Sequence, residues 1–270
     1  MAGALNFTKM VGAGNDFIVI DSRVKGEGWR VENLYRLARK LCDRKTGIGG
    51  DGVLVLDKSK KADFKMSIFN ADGSVAEMCG NGLRCAVLYA AMKRKIKVET
   101  KAGIYEGEIT ARNRVKVRME EPKDLRLDFP INVNGREIRV NFINTGVPHV
   151  VVFVEGLDKI DAEKIGAEIR YHGEFKPKGA NADFVEIVDD NNIKVRTYER
   201  GVEGETLACG TGAVASAIIS KVKGQGSRVK VNVHVLGGVL KVEFNKIGNK
   251  VKNVYLEGEA KAVFQGGIYV

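Results

Sequence analysis

Short runs of apolar residues, some alternating with polar ones, recur along the 270 residues of the chain. Runs of this length, rich in Val and Ile and bounded by Gly, Asn and Asp, predict β-strands. Apolar residues three and four apart predict fewer helices, such as one through Leu34, Leu37, Ala38 and Leu41 and one within Asp161–Arg170. The pattern therefore predicts a strand-rich α+β protein. The predicted strands are Ile18–Asp21, Val53–Leu56, Lys65–Phe69, Ile104–Ile109, Val115–Met119, Val150–Val154, Phe184–Val188, Ile193–Tyr198, Val229–Val235, Val239–Phe244 and Val254–Glu257.

The chain also contains an internal repeat. Two blocks recur at one offset of 132 residues, and a third recurs at an offset that grows from 129 to 130 through one inserted residue. Three blocks in the same order at a nearly constant offset predict two tandem domains of one design. The aligned pairs are Gly14–Asp21 with Gly146–Phe153, Gly47–Asp57 with Gly179–Asp189, and Phe69–Gly82 with Tyr198–Gly212.

A proline within a charge cluster, Glu121-Pro122, interrupts the pattern between the repeats. We therefore expect an N-terminal domain over 1–121 and a C-terminal domain over 122–259. The final stretch, Ala260–Val270, has no counterpart inside the repeat. We expect it to pack back onto the N-terminal domain.

Composition narrows the class of protein. The formal net charge is +10, but the charges are scattered, with no zinc-knuckle spacing and no aromatic-plus-basic motif. We expect no nucleic-acid partner, since a basic RNA-binding module would show a concentrated footprint and strongly salt-sensitive binding. No window has the roughly 18 apolar residues of a membrane span, and the N-terminus lacks a signal-peptide core. The expected location is the cytoplasm, with no membrane partner.

The repeat separates the four cysteines into two kinds. Cys79 and Cys209 occupy equivalent positions, each before a Gly-Asn-Gly or Gly-Thr-Gly turn and a predicted helix of small residues. Free N–H groups at a helix start favour a thiolate and can also hold a carboxylate. Cys42 and Cys85 lie within helical patterns and are expected to be buried and inert.

Two activated thiols in duplicated halves predict a particular reaction. If the halves face one another, one thiol lies on each face of a substrate α-carbon in the cleft between them. One thiol can then remove a proton while the other returns a proton to the opposite face, which inverts the stereocentre. The two helix N-termini would stabilise the charge that spreads onto the carboxylate. No pyridoxal-phosphate lysine motif and no metal-ligand spacing is evident, so we expect neither a cofactor nor a metal.

The sequence resembles the diaminopimelate epimerase family in motifs that run through most of the chain. They are KMVGAGNDF (9–17), GIGGDG (47–52), FNADGSVAEMCGNGLRC (69–85), TGVPH (145–149), GANADF (179–184) and YERGVEGETLACGTGA (198–213). The resemblance implies two pseudo-symmetric domains, each a strongly curved, mostly antiparallel sheet around a central helix. It also implies interconversion of LL- and meso-diaminopimelate in lysine biosynthesis, which also supplies peptidoglycan in many bacteria, and it suggests a homodimer.

By this resemblance each candidate residue takes a role. Cys79 and Cys209 match the catalytic acid–base pair, and His149 and Glu199 match residues that tune the thiols. The positions that match substrate-binding residues are Asn15, Asn70, Gly80, Asn81, Asn181, Glu199, Arg200, Gly210 and Thr211. Arg200 suits a far carboxylate, because a planar guanidinium grips one with two hydrogen bonds.

Two positions depart from the family pattern, and one other enzyme class stays open. Val147 stands where many members have Asn, and Gly52 stands where some bacterial members have Gln, which affects contacts to the far end of the substrate. The alternative is a proline racemase or another amino acid racemase of the same fold. Phenazine-biosynthesis isomerases share the architecture without the thiol pair.

Overall fold

The computed structural model describes residues 4–23, 31–90, 95–222, 227–248 and 250–269. The α-helices are α1 Val31–Cys42, α2 Gly80–Ala90, α3 Ala162–Arg170 and α4 Gly210–Lys221. The strands are β1 Ala4–Gly12, β2 Asn15–Asp21, β3 Gly52–Asp57, β4 Phe64–Asn70, β5 Val75–Ala76, β6 Lys95–Thr100, β7 Gly103–Ala111, β8 Arg114–Arg118, β9 Lys123–Val133, β10 Arg136–Asn144, β11 Pro148–Phe153, β12 Asn181–Ile187, β13 Asn192–Glu199, β14 Gly204–Thr206, β15 Arg228–Val235, β16 Gly238–Ile247, β17 Lys250–Glu259 and β18 Lys261–Tyr269. The predicted strand-rich α+β fold is confirmed.

The chain divides into two compact units. One comprises Met1–Val117 together with Gly258–Val270, and the other comprises Arg118–Glu257. Each unit contains one of the two helices that begin just after a cysteine.

In the first unit, strands surround α2. Strand β1 is antiparallel to β2, β2 is parallel to β3, and β3 is antiparallel to β4. Strand β4 then runs parallel to β6, which continues antiparallel through β7 to β8. Helix α2 is buried from Asn81 to Val87, since its small and apolar residues face strands on several sides. The amphipathic α1 packs outside, where Leu34 and Leu41 join a core with Ile18 and Val53.

The second unit repeats this order. Strand β10 is antiparallel to β11, β11 is parallel to β12, and β12 is antiparallel to β13. Strand β13 is parallel to β15, which pairs antiparallel with β16, and β16 pairs antiparallel with β17. Helix α4 is buried from Gly212 to Ile219 among these strands. Outside lies α3, whose Ile169 packs with Leu157 and Phe184.

The C-terminal strand completes the first unit. Strand β18 pairs antiparallel with β1, from Ala4 opposite Tyr269 to Val11 opposite Lys261. In the second unit β9 pairs antiparallel with β10 in the equivalent place, and a short turn joins the two. Strand β18, at the end of the chain, therefore occupies in the first repeat the place that β9, at the start of the second repeat, occupies there.

Helices of the described residues are too short or too polar to cross a membrane.

Candidate active site

The Cys79 thiol lies at the N-terminus of α2. It is partly exposed, and the backbone N–H of Gly82 donates to its Sγ at 3.4 Å. The Leu83 N–H donates to the Cys79 carbonyl at 2.8 Å and starts the helix. One amide of the first turn therefore donates to the sulfur, where it favours negative charge.

Two predicted binding residues lie beside this helix start. The Asn81 side-chain amide donates to Asn15 Oδ1 at 2.5 Å, and the Asn15 amide donates to Asp51 Oδ2 at 2.9 Å. Asn81 is buried and Asn15 is half-buried at the first position of β2. The strand end and the helix start thus present two amide side chains with fixed orientations.

A network of charged side chains includes Asp51, the residue that accepts from Asn15. Lys9 bonds the Gly49 carbonyl and forms an ion pair with Asp16 at 2.6 Å. Arg44 bonds both Asp16 and Asp51, at 2.7 and 2.9 Å. Burial alone would raise the pKa of the Asp16 carboxyl, but the bonds from Arg44 and Lys9 outweigh it and hold that pKa well below its usual value.

Asn70 has a different setting from Asn15 and Asn81. Its backbone and side-chain amides donate to Ser74, and its carbonyl accepts from Gly73, so it forms a turn at the end of β4. Its side chain is exposed. Its place in substrate binding stays a prediction.

The Cys209 thiol occupies the equivalent position in the second unit, as the N-cap of α4. The Thr211 hydroxyl lies 3.4 Å from its Sγ, and the Asn181 amide lies 3.9 Å from it. The Gly212 N–H also favours negative charge on the sulfur. Unlike Cys79, this residue is buried, with only 4% of its surface exposed.

A buried hydrogen-bond network surrounds Cys209. His149 Nδ1 lies 2.7 Å from Asp183 Oδ2, and His149 Nε2 lies 3.0 Å from the Thr211 hydroxyl. Thr197 donates to the other Asp183 oxygen at 2.7 Å. A carboxylate beside Nδ1 favours the tautomer with a proton there, which leaves Nε2 as the acceptor. The contacts thus form a continuous path from the Cys209 sulfur through a hydroxyl to an imidazole.

The electrostatics of Cys209 differ from what its helix position predicts. Burial raises the pKa of the Cys209 thiol well above its usual value, and the carboxylates of Glu199 and Asp183 raise it further. Hydrogen bonds from Thr211 and Gly212 lower this pKa but do not offset the rise. Burial likewise raises the pKa of the Glu199 carboxyl, which accepts from Thr206 at 3.1 Å. The helix N-terminus lowers the pKa of this thiol, as expected, but desolvation and two negative charges outweigh that effect.

Arg200 follows directly after Glu199, where β13 ends. Its backbone N–H donates to Asn181 Oδ1 at 2.8 Å, which orients that amide. Its guanidinium bonds the Lys178 carbonyl at 3.4 Å. The structure thus joins Asn181, Arg200 and Cys209 in one half-site.

The other two cysteines are buried. Cys42 is the last residue of α1, and Cys85 lies in the body of α2. Burial raises the pKa of the Cys42 thiol to about 11 and that of the Cys85 thiol to about 12. Both are neutral near pH 7.

Three charged residues near the thiols were not predicted from the sequence. Asp51 and Asp183 occupy equivalent positions of the repeat and accept from Asn15 and His149, respectively. Their place in the aligned GIGGDG and GANADF blocks was the signal that could have found them. The third is Arg84, whose position inside a small-residue helix gave no such signal.

Departures from the family pattern have local explanations. Gly52 opens β3, and a Cβ there would come within 2.8 Å of the Phe69 carbonyl oxygen. Val147 lies in a turn in which its carbonyl accepts from the Thr145 N–H at 3.1 Å. Within the described ranges, no group of three or more His, Cys, Asp or Glu residues is arranged to hold a metal ion.

Comparison with known proteins bears on these two half-sites. The sequence profile of the diaminopimelate epimerase family matches residues 7–125 and 141–263, which include both thiols. The chain belongs to the diaminopimelate epimerase family. A diaminopimelate epimerase of Aquifex aeolicus is 45% identical, with 97% of each chain covered. One from Archaeoglobus fulgidus is 44% identical, covering 96% of this chain and 95% of the relative.

Solved structures share the fold of this family member at lower identity. A phenazine biosynthesis protein of the PhzF family from Bacillus anthracis has a TM-score of 0.75 at 19% identity, covering 99% of this chain and 100% of the other. A hydroxyproline epimerase from Agrobacterium vitis has a TM-score of 0.69 at 16% identity, covering 100% and 95%. At such identities the likeness shows the fold alone. The predicted two-repeat epimerase fold is confirmed, and the chain is classed as an isomerase with its family.

Proposed function

We propose that this protein interconverts LL-2,6-diaminopimelate and meso-diaminopimelate by proton transfer between Cys79 and Cys209. Family membership over nearly the whole chain supports the substrate. The observation that carries the mechanism is the matched pair of thiols, each directly before a buried helix at equivalent positions of the repeat. The reaction belongs to lysine biosynthesis.

In the proposed mechanism the two thiols act on opposite faces of one α-carbon. The thiolate of one cysteine removes the α-proton, and its S–H bond forms as the C–H bond breaks. The electron pair spreads onto the substrate carboxylate, where N–H groups at Gly80 and Asn81, and at Gly210 and Thr211, stabilise it. The other thiol then gives its proton to the opposite face. No redox change and no added cofactor is needed.

The network around Cys209 supports its role as the thiol that rests protonated. Burial and the nearby carboxylates favour the neutral form in the free protein. For the reverse direction, the Thr211 hydroxyl offers a path by which the Cys209 proton reaches His149 Nε2. His149 can accept it because Asp183 stabilises the imidazolium that forms. Glu199 opposes ionisation of the same thiol.

The substrate has a second amino acid end, and candidate binding residues of both repeats suit it. Arg200 offers a planar fork for the distal carboxylate, while Asn15, Asn70 and Asn181 both donate and accept hydrogen bonds and so suit an ammonium next to a carboxylate. The first repeat has Asn70-Ala71 where the second has Glu199-Arg200, so the charged pair occurs in one repeat only. A substrate with one charged far end matches that asymmetry.

The test is exchange of the α-proton in deuterated water with purified protein and no added cofactor. We expect LL-diaminopimelate to gain α-deuterium and to yield the meso form, and we expect proline and glutamate to exchange far more slowly. Exchange with proline but not with diaminopimelate would overturn the proposal and support the racemase alternative. The solved structures do not favour that alternative, since their likeness extends to the fold alone. A homodimer stays a prediction, for which sedimentation equilibrium is the measurement.

A further inference from the structure

Arg84 is a buried cation in the first unit. Its side chain is 0% exposed, although it lies on α2 only five residues after Cys79. Its Nη2 donates to Asn81 Oδ1 at 2.6 Å, while its Nε and Nη1 find no hydrogen-bond acceptor among the described residues. A guanidinium stays protonated in proteins, and a buried charge with one amide partner is costly unless a negative charge lies nearby. A nearby anion would therefore stabilise the buried Arg84 guanidinium.

Two thiols are the groups whose negative charge would stabilise Arg84. Burial lowers the pKa of the Arg84 guanidinium, while negative charge at Cys85 or Cys79 would raise it. Cys85 is fully buried with a pKa raised to about 12, so it is neutral near pH 7. Cys79 is partly exposed and lies at a helix N-terminus, where a thiolate is favoured. Of the two thiols, Cys79 is thus the one whose ionised form would complement this cation.

Charged groups on the strands packed against α2 have other partners or are exposed. Lys9 of β1 pairs with Asp16 of β2, Asp57 of β3 accepts from Ser22, and Glu99 of β6 accepts from Ser59. Glu106 of β7 lies 3.9 Å from Lys97, and Lys65 of β4 and Lys261 of β18 are exposed. Tyr89 lies on α2 itself, and burial raises its pKa.

Arg84 also orients two candidate binding side chains. Because Asn81 Oδ1 accepts from the guanidinium, the Asn81 Nδ2 must point the other way, where it donates to Asn15 Oδ1. Asn15 in turn donates to Asp51. A flipped Asn81 amide would set N–H against N–H at the guanidinium. One buried cation therefore sets the direction of a chain of three hydrogen bonds.

The second repeat shows that the fold does not require a cation here. The position equivalent to Arg84 is Val214, which is buried in α4. An apolar residue thus fills this place in a helix of the same design. Around Cys209 the charged neighbours are instead the carboxylates of Glu199 and Asp183.

We propose that Arg84 is a positioning residue of the Cys79 half-site. Its buried charge stabilises the Cys79 thiolate, and its hydrogen bond holds the Asn81 amide in the orientation that Asn15 and the substrate carboxylate use. This role rests on the proposed function. It gives the two thiols opposite resting states, with Cys79 ionised beside a cation and Cys209 protonated beside carboxylates.

The test compares Arg84→Met, which removes the charge, with Arg84→Lys, which keeps the charge but loses the planar fork. Alkylation of Cys79 by iodoacetamide is followed from pH 5 to 10 by peptide mass, without substrate. In Arg84→Met we expect the profile to move to higher pH and the rate at pH 7 to fall about 10-fold. In Arg84→Lys we expect the rate to stay within about 3-fold of wild type, while KM for diaminopimelate rises about 10-fold. The control is Arg36→Met, which removes an exposed charge from α1.

The outcomes separate the inference from the proposed function. A folded Arg84→Met protein whose Cys79 reacts as in the wild type would overturn the charge role. If that variant does not fold, Arg84→Lys decides, because a wild-type KM would overturn the positioning role and slowed alkylation of Cys79 would overturn the charge role. If the wild-type protein itself fails to exchange the α-proton of diaminopimelate, the proposed function fails, and the alkylation profiles still report on Arg84.

Discussion

At the scale of single residues, the two thiols are alike in position and opposite in environment. Each directly precedes a buried helix at an equivalent position of the repeat, and Cys79 Sγ accepts the Gly82 N–H. Cys79 precedes a helix that carries the buried Arg84, while the carboxylates of Glu199 and Asp183 raise the pKa of the Cys209 thiol. A two-base epimerase needs one base and one acid at the same time, and in the proposed mechanism these unequal surroundings would supply them.

Replacing either catalytic thiol should stop epimerisation. Cys79→Ala and Cys209→Ala each remove the proton carrier of one face, so we expect turnover of diaminopimelate to fall at least about 1000-fold. Cys42→Ala and Cys85→Ala are the matched controls. They should stay active and lose about 1–3 kcal/mol of unfolding free energy through packing. Near wild-type turnover in Cys79→Ala or in Cys209→Ala would contradict the two-thiol mechanism.

Specificity for a charged far end is predicted to depend on Arg200. Arg200→Lys replaces a planar fork by a point charge, so we expect kcat/KM for diaminopimelate to fall about 10–150-fold, or about 1.5–3 kcal/mol. The control substrate is lysine, which lacks the distal carboxylate, and its slow α-deuterium exchange should change much less. Equal losses with both substrates would make Arg200 a structural residue.

The pH dependence of Cys209 is predicted to follow the charge of Glu199. The ionised carboxylate disfavours the Cys209 thiolate, so removing it should lower the raised pKa of that thiol. In Glu199→Gln, alkylation of Cys209 should therefore begin at lower pH and be about 10-fold faster at pH 8. Peptide mass spectrometry after timed alkylation measures this, with the exposed Glu155→Gln as control. A slower Cys209 in Glu199→Gln would mean that the carboxylate acts as a base for the thiol.

At the scale of elements, the helices after the cysteines fit their surroundings differently. A Cβ on Gly212 of α4 would overlap Asp183 Oδ1, which is held by His149 and Thr197. A Cβ on the equivalent Gly82 of α2 would meet Leu54 Cδ2 at 3.1 Å, the end of a flexible side chain. A side chain at Gly212 would therefore clash with a hydrogen-bonded polar network, whereas one at Gly82 would contact a leucine side chain that can move.

This difference predicts unequal effects of one substitution at equivalent sites. Gly212→Ala should lower the free energy of unfolding by about 1–3 kcal/mol, because the buried Asp183 cannot move without breaking its bonds. Gly82→Ala should stay within about 1 kcal/mol of wild type, since alanine's helix propensity offsets the displaced leucine. Urea denaturation of the two variants measures this. Equal losses would show that both helix starts are equally rigid.

Sequence periodicity predicted the elements that contain continuous apolar runs. It did not predict strands such as β9, whose formation depends on pairing with a neighbouring strand. The helices after Cys79 and Cys209 and the strands of the aligned blocks follow from composition and spacing. Strand β9 alternates Leu125, Leu127, Phe129, Ile131 and Val133, but Pro122 and the charges before it indicated a domain boundary instead. Pro130 lies within this strand, opposite Arg139 of β10.

Much of the candidate site could be predicted and much of its electrostatics could not. The repeat identified Cys79 and Cys209 as the candidate catalytic pair, because their Gly-x-Gly flanks match at one offset. Arg84 and the raised pKa of the Cys209 thiol depend on what packs around α2 and α4. Burial and carboxylates brought from distant strands are tertiary properties, so no local pattern reports them.

At the scale of the whole molecule, the chain contains two copies of one structural unit, and its last strand, β18, pairs with its first strand, β1. In the second unit, the Asn134-Gly135 turn joins β9 to β10, with Val133 opposite Arg136. Both turn residues have positive φ, 52° and 75°, as a two-residue hairpin turn requires. In the first unit Tyr269 stands opposite Ala4 in the same way, with no covalent link between them. Strand β18 is thus the first strand of the first repeat, displaced to the end of the sequence.

A circular permutant tests this interpretation. Joining Tyr269 to Ala4 through Asn-Gly and starting the chain at Ala260 after an initiator Met turns β18 into a leading strand like β9. We expect the permutant to fold and to unfold within about 1 kcal/mol of the native chain, because every β1–β18 pair is kept and a two-residue primed turn closes the hairpin. Deleting 261–270 is the matched control. It leaves one edge of β1 unpaired, so it should lose more than about 3 kcal/mol in urea denaturation. A permutant as unstable as the truncation would show that β18 needs its link to β17, and that the two repeats do not share one strand plan.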